Sequence, residues 1–230
     1  RVQKYLSEKN LASRREAEHL LLGGRIKING VIVRTLGTKI DPTKDKVEII
    51  KVKENLKDKK ITIIFNKPRG MSSSEEEDDN STVFDNIDQN MNLSAAGRLD
   101  KESEGLLILT NDGRIARVLT DERHLIDKEY IVKVKEVIEP IMIRRLRDGI
   151  IIDNQKTLPA KITQINDHCF KITLREGRKH QIRRMTNDVH LTIISLKRVR
   201  IGFLTLSGLT LGKWREIKDI EIYKLLKYFN

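Results

Sequence analysis

Residues 105–110 read GLLILT, an apolar run too short for a helix that must bury a face and lacking the polar alternation of a strand with one wet side. Such a run fits a strand covered on both faces, so the sheet around it needs material above and below. At 230 residues, 38% of them hydrophobic, the chain is long enough for one or two domains with a sizeable core. Other strand-like stretches accompany it: ITIIF from Ile61, EYIVKVK from Glu129, IIID from Ile150, PAKITQI from Pro159, CFKITLR from Cys169 and TIISLKRVRI from Thr192. Between them RIARVLT sets Ile115, Val118 and Leu119 at helical spacing, and Pro140 suits the first turn of a helix reaching about Arg147. Arg178 to about Asp188 reads as a further helix, and KDIEIYKLLKYF closes the chain as another. Single helices interrupting strands predict an α+β domain over residues 61–230, with a mixed, largely antiparallel sheet.

The first fifty residues follow another pattern. VQKYLSEK places Val2, Tyr5, Leu6 and Lys9 on one helical face, with Asn10 as its stop. In SRREAEHLLLGG, Ser13 and Glu16 form a capping box, and Gly23-Gly24 suits a left-handed end. RIKINGVIV alternates around Asn29-Gly30, a strong hairpin signal, and KVEIIKV from Lys46 reads as a strand. Two helices and a short sheet in residues 1–50 resemble the RNA-binding domain named for the fourth small-subunit ribosomal protein. That resemblance implies Lys4, Arg14, Arg15, Arg25 and Lys27 facing phosphates. KVKENLKDKK, residues 51–60, reads as a linker. Five consecutive acids, Glu75 to Asp79, read as a solvated loop.

Charge narrows the function class. The net charge is +12, with +8 on residues 1–60, −5 on 61–150 and +9 on 151–230. Two basic regions around an acidic middle suggest a polyanionic partner, since Lys and Arg docked on phosphates release counterions. Aromatic residues are 4% of the chain, too few for a platform that stacks several consecutive bases. The lone Cys169 forms no internal disulfide, and the five His lack metal-ligand spacing. These features predict a cytoplasmic protein with no metal, no membrane span and no signal peptide.

Four constellations carry candidate chemistry. AGRLD at 96–100 puts Asp100 after a Gly-bearing turn and before the buried strand, between Arg98 and Lys101. Cations keep a carboxylate ionised, as a nucleophile or base requires; the plainer reading is a turn Asp bonded to local N–H groups or paired with Arg98. REGRKHQIRRM, residues 175–185, presents Lys179, Arg183 and Arg184 on a cationic helix surface, and His180 reads more readily as a phosphate or backbone partner than as a base. Tyr130 in KEY suits a stacking aromatic or a core residue with a bonded hydroxyl. In NKPRG, Lys67 and Arg69 flank Pro68 in a turn able to approach a phosphate backbone.

Taken in order, NKPRGM, GRLDKESEGLLILTNDG, KEY, EGRKHQIRRM and ISLKRVRIG, then LGKWRE, resemble the successive motifs of the RsuA/RluB/RluF group of RNA pseudouridine synthases. The resemblance spans nearly all of residues 62–217 and implies isomerisation of uridine in RNA without metal or cofactor. Large-subunit 23S ribosomal RNA, free or in a ribosome precursor, is the expected partner, and a monomer the expected state. Asp100 matches the essential aspartate, Arg183 its basic partner and Tyr130 the tyrosine that packs on the target base; Leu196 matches a pocket-lining apolar residue. Arg98 is left to fill the gap of a flipped nucleotide or hold a flanking phosphate. Charge and motif position assign Lys67, Arg178, Lys179, Arg184, Lys197, Arg198 and Arg200 to the RNA cleft. Ser103 keeps the Ser or Thr that follows the aspartate in the family, whereas the long acidic run departs from it.

Overall fold

The structure, a computed structural model, describes residues 1–9, 11–50, 60–74 and 81–228. Asn10, nearly all of the expected linker and the acidic run Glu75 to Asp79 lie outside the described residues.

The amino-terminal part contains α1 (Val2–Glu8), α2 (Arg14–Leu22) and a three-stranded antiparallel sheet in the order β2 (Val31–Val33), β1 (Ile26–Ile28), β3 (Val47–Ile49). The capping box forms as expected: Glu16 N donates to Ser13 Oγ at 3.1 Å and Ser13 N to Glu16 Oε2 at 3.3 Å. Asn29 and Gly30 both take positive φ, 52° and 83°, at the hairpin turn, as a two-residue loop of this twist requires. Val2, Leu6, Ala12, Ala17, Leu21 and Ile26 make the core. Two details depart from expectation. The covered face of α1 is Val2, Gln3, Leu6 and Ser7, with Lys9 exposed, because Ser7 is enclosed by a contact described below. The left-handed residue after α2 is Gly24 (φ 65°) alone, while Gly23 is right-handed.

The larger part is built on one sheet in the order β10 (Lys161–Asn166), β11 (Cys169–Leu174), β7 (Lys128–Val134), β12 (Ile193–Ile201), β6 (Glu104–Thr110), β4 (Thr62–Lys67), β14 (Trp214–Glu216). Two short strands extend it: β13 (Leu204–Thr205) pairs with β12, and β5 (Ser94–Ala95) with β6. Among the pairings of these described strands, β12 with β6 is the parallel one. The GLLILT run is β6, and it is covered on both faces. Leu106 and Ile108 join Ile64 beneath α3 (Gly113–Thr120) and α6 (Asp219–Tyr228), while Leu107 and Leu109 join Ile63 and Phe65 against Val83, Ile87, Leu93 and Leu99. The helical layer thus lies on one side and irregular chain on the other. Farther along the sheet, α4 (Pro140–Asp148) and α5 (Gln181–Asp188) bury Ile143, Leu146, Ile182 and Met185 against Val132, Ile162, Phe170 and Ile172. Between α4 and β10, a small hairpin of β8 (Ile151–Ile152) and β9 (Gln155–Lys156) stands apart from the main sheet.

α5 begins at Gln181, not Arg178 as its sequence suggested. The side chain of Gln181 explains the difference: its oxygen accepts from Arg178 N at 3.0 Å and its amide donates to Glu176 Oε1 at 2.6 Å. That bridge ties residues 176–178 into a turn and leaves His180 left-handed, at φ 53°, a region His tolerates better than most side chains.

At the parallel junction β6 and β12 approach too closely for a side chain. Gly105 has φ 105°, and a β-carbon there would stand 2.2 Å from the carbonyl oxygen of Arg198. Gly105→Ala is therefore expected to lower unfolding free energy by roughly 2–4 kcal/mol, the range of an enforced clash on strained backbone. Denaturant melts check this, and a change within about 0.5 kcal/mol, the size of a neutral surface substitution, would contradict the close approach.

Candidate active site

The loop between β5 and β6 carries Asp100, and its main chain is held residue by residue. Arg198, 2% exposed, donates from Nε to Leu106 O at 2.7 Å, from Nη2 to Gly97 O at 2.9 Å and from Nη1 to Arg98 O at 3.5 Å. Ser73 Oγ donates to Leu99 O at 2.6 Å and accepts from Leu99 N at 3.2 Å. Ser103 N donates to Asp100 O at 3.0 Å. Lys67, 0% exposed, sends Nζ to Ser103 O, Pro68 O and Lys101 O at 2.8, 3.0 and 3.2 Å. Gly70 N adds a second bond to Lys101 O at 2.8 Å, and Arg183 Nη2 reaches Glu102 O at 3.0 Å and Ser103 Oγ at 3.2 Å. Each carbonyl from Gly97 to Ser103 thus has a donor, several of them cationic, and a carboxylate on such a loop has little positional freedom.

Asp100 is partly exposed and faces two basic side chains from the α5 region. Arg183 Nε lies 3.6 Å from Oδ2 and His180 Nε2 lies 3.6 Å from Oδ1. Arg98 is exposed and makes no ion pair with Asp100 among the described residues, which leaves it facing solvent at the pocket's rim. Around the carboxylate a pocket is lined by Tyr130, Leu174, Ile182 and Leu196 on its apolar side and by Arg98, Ser103, Glu176, Arg178, His180, Gln181 and Arg183 on its polar side. Tyr130 of β7 packs against the clusters on both sides of this site. Leu196 and Arg198 are two residues apart on β12 and share a face, so one strand supplies a pocket wall and the support beneath the loop. His180, which the sequence offers as a phosphate or backbone partner, is brought to Asp100 by the left-handed start of α5, a feature the motif does not show.

Several residues expected along an RNA cleft have other partners. Lys67 and Arg198 are buried under the Asp100 loop, and their charges go to main-chain carbonyls. Arg178 donates to the carbonyls of Ile152, Gln155 and Lys156 and pairs with Glu176, pinning the β8–β9 hairpin. Arg184 forms a forked pair with Asp153 at 2.6 and 2.8 Å, and Arg200 bonds Glu129 at 3.1 Å and Gly202 O at 2.7 Å. Guanidinium forks suit such closures as well as phosphate, so motif position alone did not separate the two uses. Lys179 is exposed and Lys197 half-buried. In the amino-terminal part Lys4 is exposed beside Glu8 at 3.6 Å, Lys27 is half-buried, and Arg14, Arg15 and Arg25 line a cleft of about 2020 Å³ facing Lys60 and Arg114.

The pocket and its held carboxylate sit in a chain that belongs to the RNA pseudouridine synthases: residues 61–188 match the RNA pseudouridylate synthase family and residues 1–46 the S4 domain. The chain is 36% identical to ribosomal large subunit pseudouridine synthase B of Bacillus subtilis, over 98% of this chain and 95% of that protein. It is 33% identical to the dual-specificity RNA pseudouridine synthase RluF of Escherichia coli K12, over 99% of this chain and 78% of the relative. A crystal structure of a pseudouridylate synthase, 29% identical, superposes with a TM-score of 0.72 over 98% of this chain and 99% of that one. No described helix is long and apolar enough to cross a membrane, and among the described residues no cluster of three His, Cys, Asp or Glu is arranged to hold a metal ion.

Burial pushes the Lys67 ammonium down from 10.5 to about 8; Asp100 and Glu102 oppose the fall and Arg198 adds to it. At neutral pH the cation is retained. Between about pH 8 and 10.5 the unfolded chain binds a proton at Lys67 that the folded chain does not, so this residue's contribution to stability rises with pH there. Below pH 8 both states are protonated and its contribution is flat. Melts of the wild type and Lys67→Met across this range are expected to show the wild type gaining on the variant as pH rises; a constant difference would contradict the buried charge.

Proposed function

We propose that the chain converts uridine in large-subunit ribosomal RNA to pseudouridine, with Asp100 as the essential carboxylate. The observation that carries the assignment of Asp100 is its setting: an acid on a fully bonded loop, at a pocket with one apolar wall and two basic neighbours. The name of the Bacillus subtilis relative and its end-to-end similarity support the large-subunit assignment.

The reaction breaks the bond from C1′ to N1, turns the uracil and joins C1′ to C5; the C5 proton leaves and N1 gains one, so the product is an isomer and no oxidant or reductant is consumed. Leu196 and Tyr130 give a planar base an apolar seat, while Arg183, with Nε 3.6 Å from Oδ2, orients Asp100. The carboxylate then attacks the ribose, attacks the base or removes a sugar proton. Each use requires an ionised acid held in place, because carboxylates are weak nucleophiles in water. Arg98 stands at the rim to contact the RNA from which the nucleotide is drawn. The chain acts as a monomer on ribosomal RNA or its precursor particle, gripped by the basic amino-terminal part.

Asp100→Asn preserves shape and removes the charge. It is expected to abolish pseudouridine formation while RNA affinity stays within a few-fold; chemical mapping of pseudouridine and a binding titration read the two. Retained turnover would sink the assignment.

A further inference from the structure

Among the described residues, contacts at Ser7, Ser13 and Glu16 join the amino-terminal part to the sheet-bearing part. Arg117, in the last turn of α3, sends Nη1 to the main-chain oxygen of Ser7 and, at 2.8 Å, to the Ser7 hydroxyl. Ser7 is 7% exposed, which accounts for a polar residue on the covered face of α1. Gly113, the first residue of α3, lies against Ser13, the N-cap of α2: a β-carbon at 113 would stand 2.2 Å from Ser13 Cβ and 2.7 Å from its Oγ. Its backbone is helical and does not itself require glycine. Lys60 Nζ pairs at 3.1 Å with Glu16 Oε1, while the other oxygen of that carboxylate closes the capping box. A helix cap is thereby also a docking point.

Where these contacts fall gives them a consequence. α3 follows β6 after Asn111 and Asp112, and β6 runs back to the loop that holds Asp100. Its seven residues span roughly 23 Å at strand rise, covered on both faces. The amino-terminal part is fixed at one end of a rigid strand and the carboxylate at the other.

We infer that this docking is a ruler: Arg117 and Gly113 are positioning residues that determine which uridine is modified, by fixing the distance from the RNA held at the amino-terminal part to the pocket. The inference rests on the reading of uridine in RNA as substrate. The substrate class it implies is a uridine at a set spacing from a folded RNA element that the amino-terminal part grips. Loosening the docking leaves the grip and the pocket intact but lets other uridines arrive.

The test uses the full chain with ribosomal RNA from a strain lacking the gene, and compares wild type with Gly113→Ala, Arg117→Ala and Arg117→Lys. Pseudouridine is mapped along the RNA, with RNA affinity and melting temperature measured in parallel. The wild type is expected to mark a restricted set of positions. Gly113→Ala, whose new side chain favours the helix but collides with Ser13, and Arg117→Ala should lose about tenfold or more at those positions and gain at others, with RNA affinity nearly unchanged. Arg117→Lys, which keeps a donor for Ser7, should return toward the wild-type pattern. Wild-type pattern and rate in both disrupting variants would overturn the ruler, as would a uniform loss at every uridine by variants that melt normally. Absence of pseudouridine with the wild-type chain would instead overturn the functional reading, and the ruler with it.

Discussion

Two cations shut away from solvent, Lys67 and Arg198, hold the main chain around the one carboxylate on which the site is centred. Burying a charge is costly unless it is well bonded, and here the bonds are the carbonyls of a loop that would otherwise turn freely. Lys67 takes two of them, at Lys101 and Ser103, and Arg198 two, at Gly97 and Arg98; the third bond of each goes to Pro68 O and to Leu106 O of β6. The rest of the architecture follows from that arrangement. β4 must end beneath the loop to deliver Lys67, β12 must run parallel to β6 to deliver Arg198, and Gly105 must lack a side chain for those strands to meet. A carboxylate held this way is preorganised, as the role proposed for Asp100 requires of an acid with low intrinsic nucleophilicity.

The same structure divides the chain's many cations by task. Those nearest the pocket in sequence are mostly committed to the protein: Arg178 to the β8–β9 hairpin, Arg184 to Asp153, Arg200 to Glu129. Those facing solvent, Arg98 and Lys179 near the pocket and Arg14 and Arg15 on the amino-terminal part, have the freedom that phosphate contact needs. Between the two groups stands Arg183, which holds the loop through Glu102 O and still reaches Asp100. The net charge of the chain overstates how much of it is available to RNA.

Much of the fold was legible in the sequence because its signals were local. The GLLILT run specified a strand buried on both faces, the Ser13–Glu16 box specified the start of α2, and Asn29-Gly30 specified a hairpin. The family motifs brought Asp100, Tyr130, Arg183 and Leu196 together as one candidate site, and they line one pocket. What escaped were long-range pairings with no local signature. Nothing in NKPRG marks Lys67 as buried, and nothing in LKRVRI separates Arg198, under the loop, from Arg200, beside Glu129. The proximity of His180 to Asp100 depends on a left-handed residue set by Gln181 and Glu176, and the cover over Ser7 on Arg117, distant in the chain.

The account turns on whether the buried cations place the carboxylate or merely fill the space beneath it. Arg198→Met keeps the length and apolar stem of the side chain while removing every donor to Gly97, Arg98 and Leu106. Single-turnover pseudouridine formation, measured with RNA affinity on the same sample, decides between the two. The account predicts a rate lower by about a hundredfold, the usual cost of misplacing a reacting group by an ångström, with affinity unchanged. A variant that folds, binds RNA and reacts at the wild-type rate would contradict it.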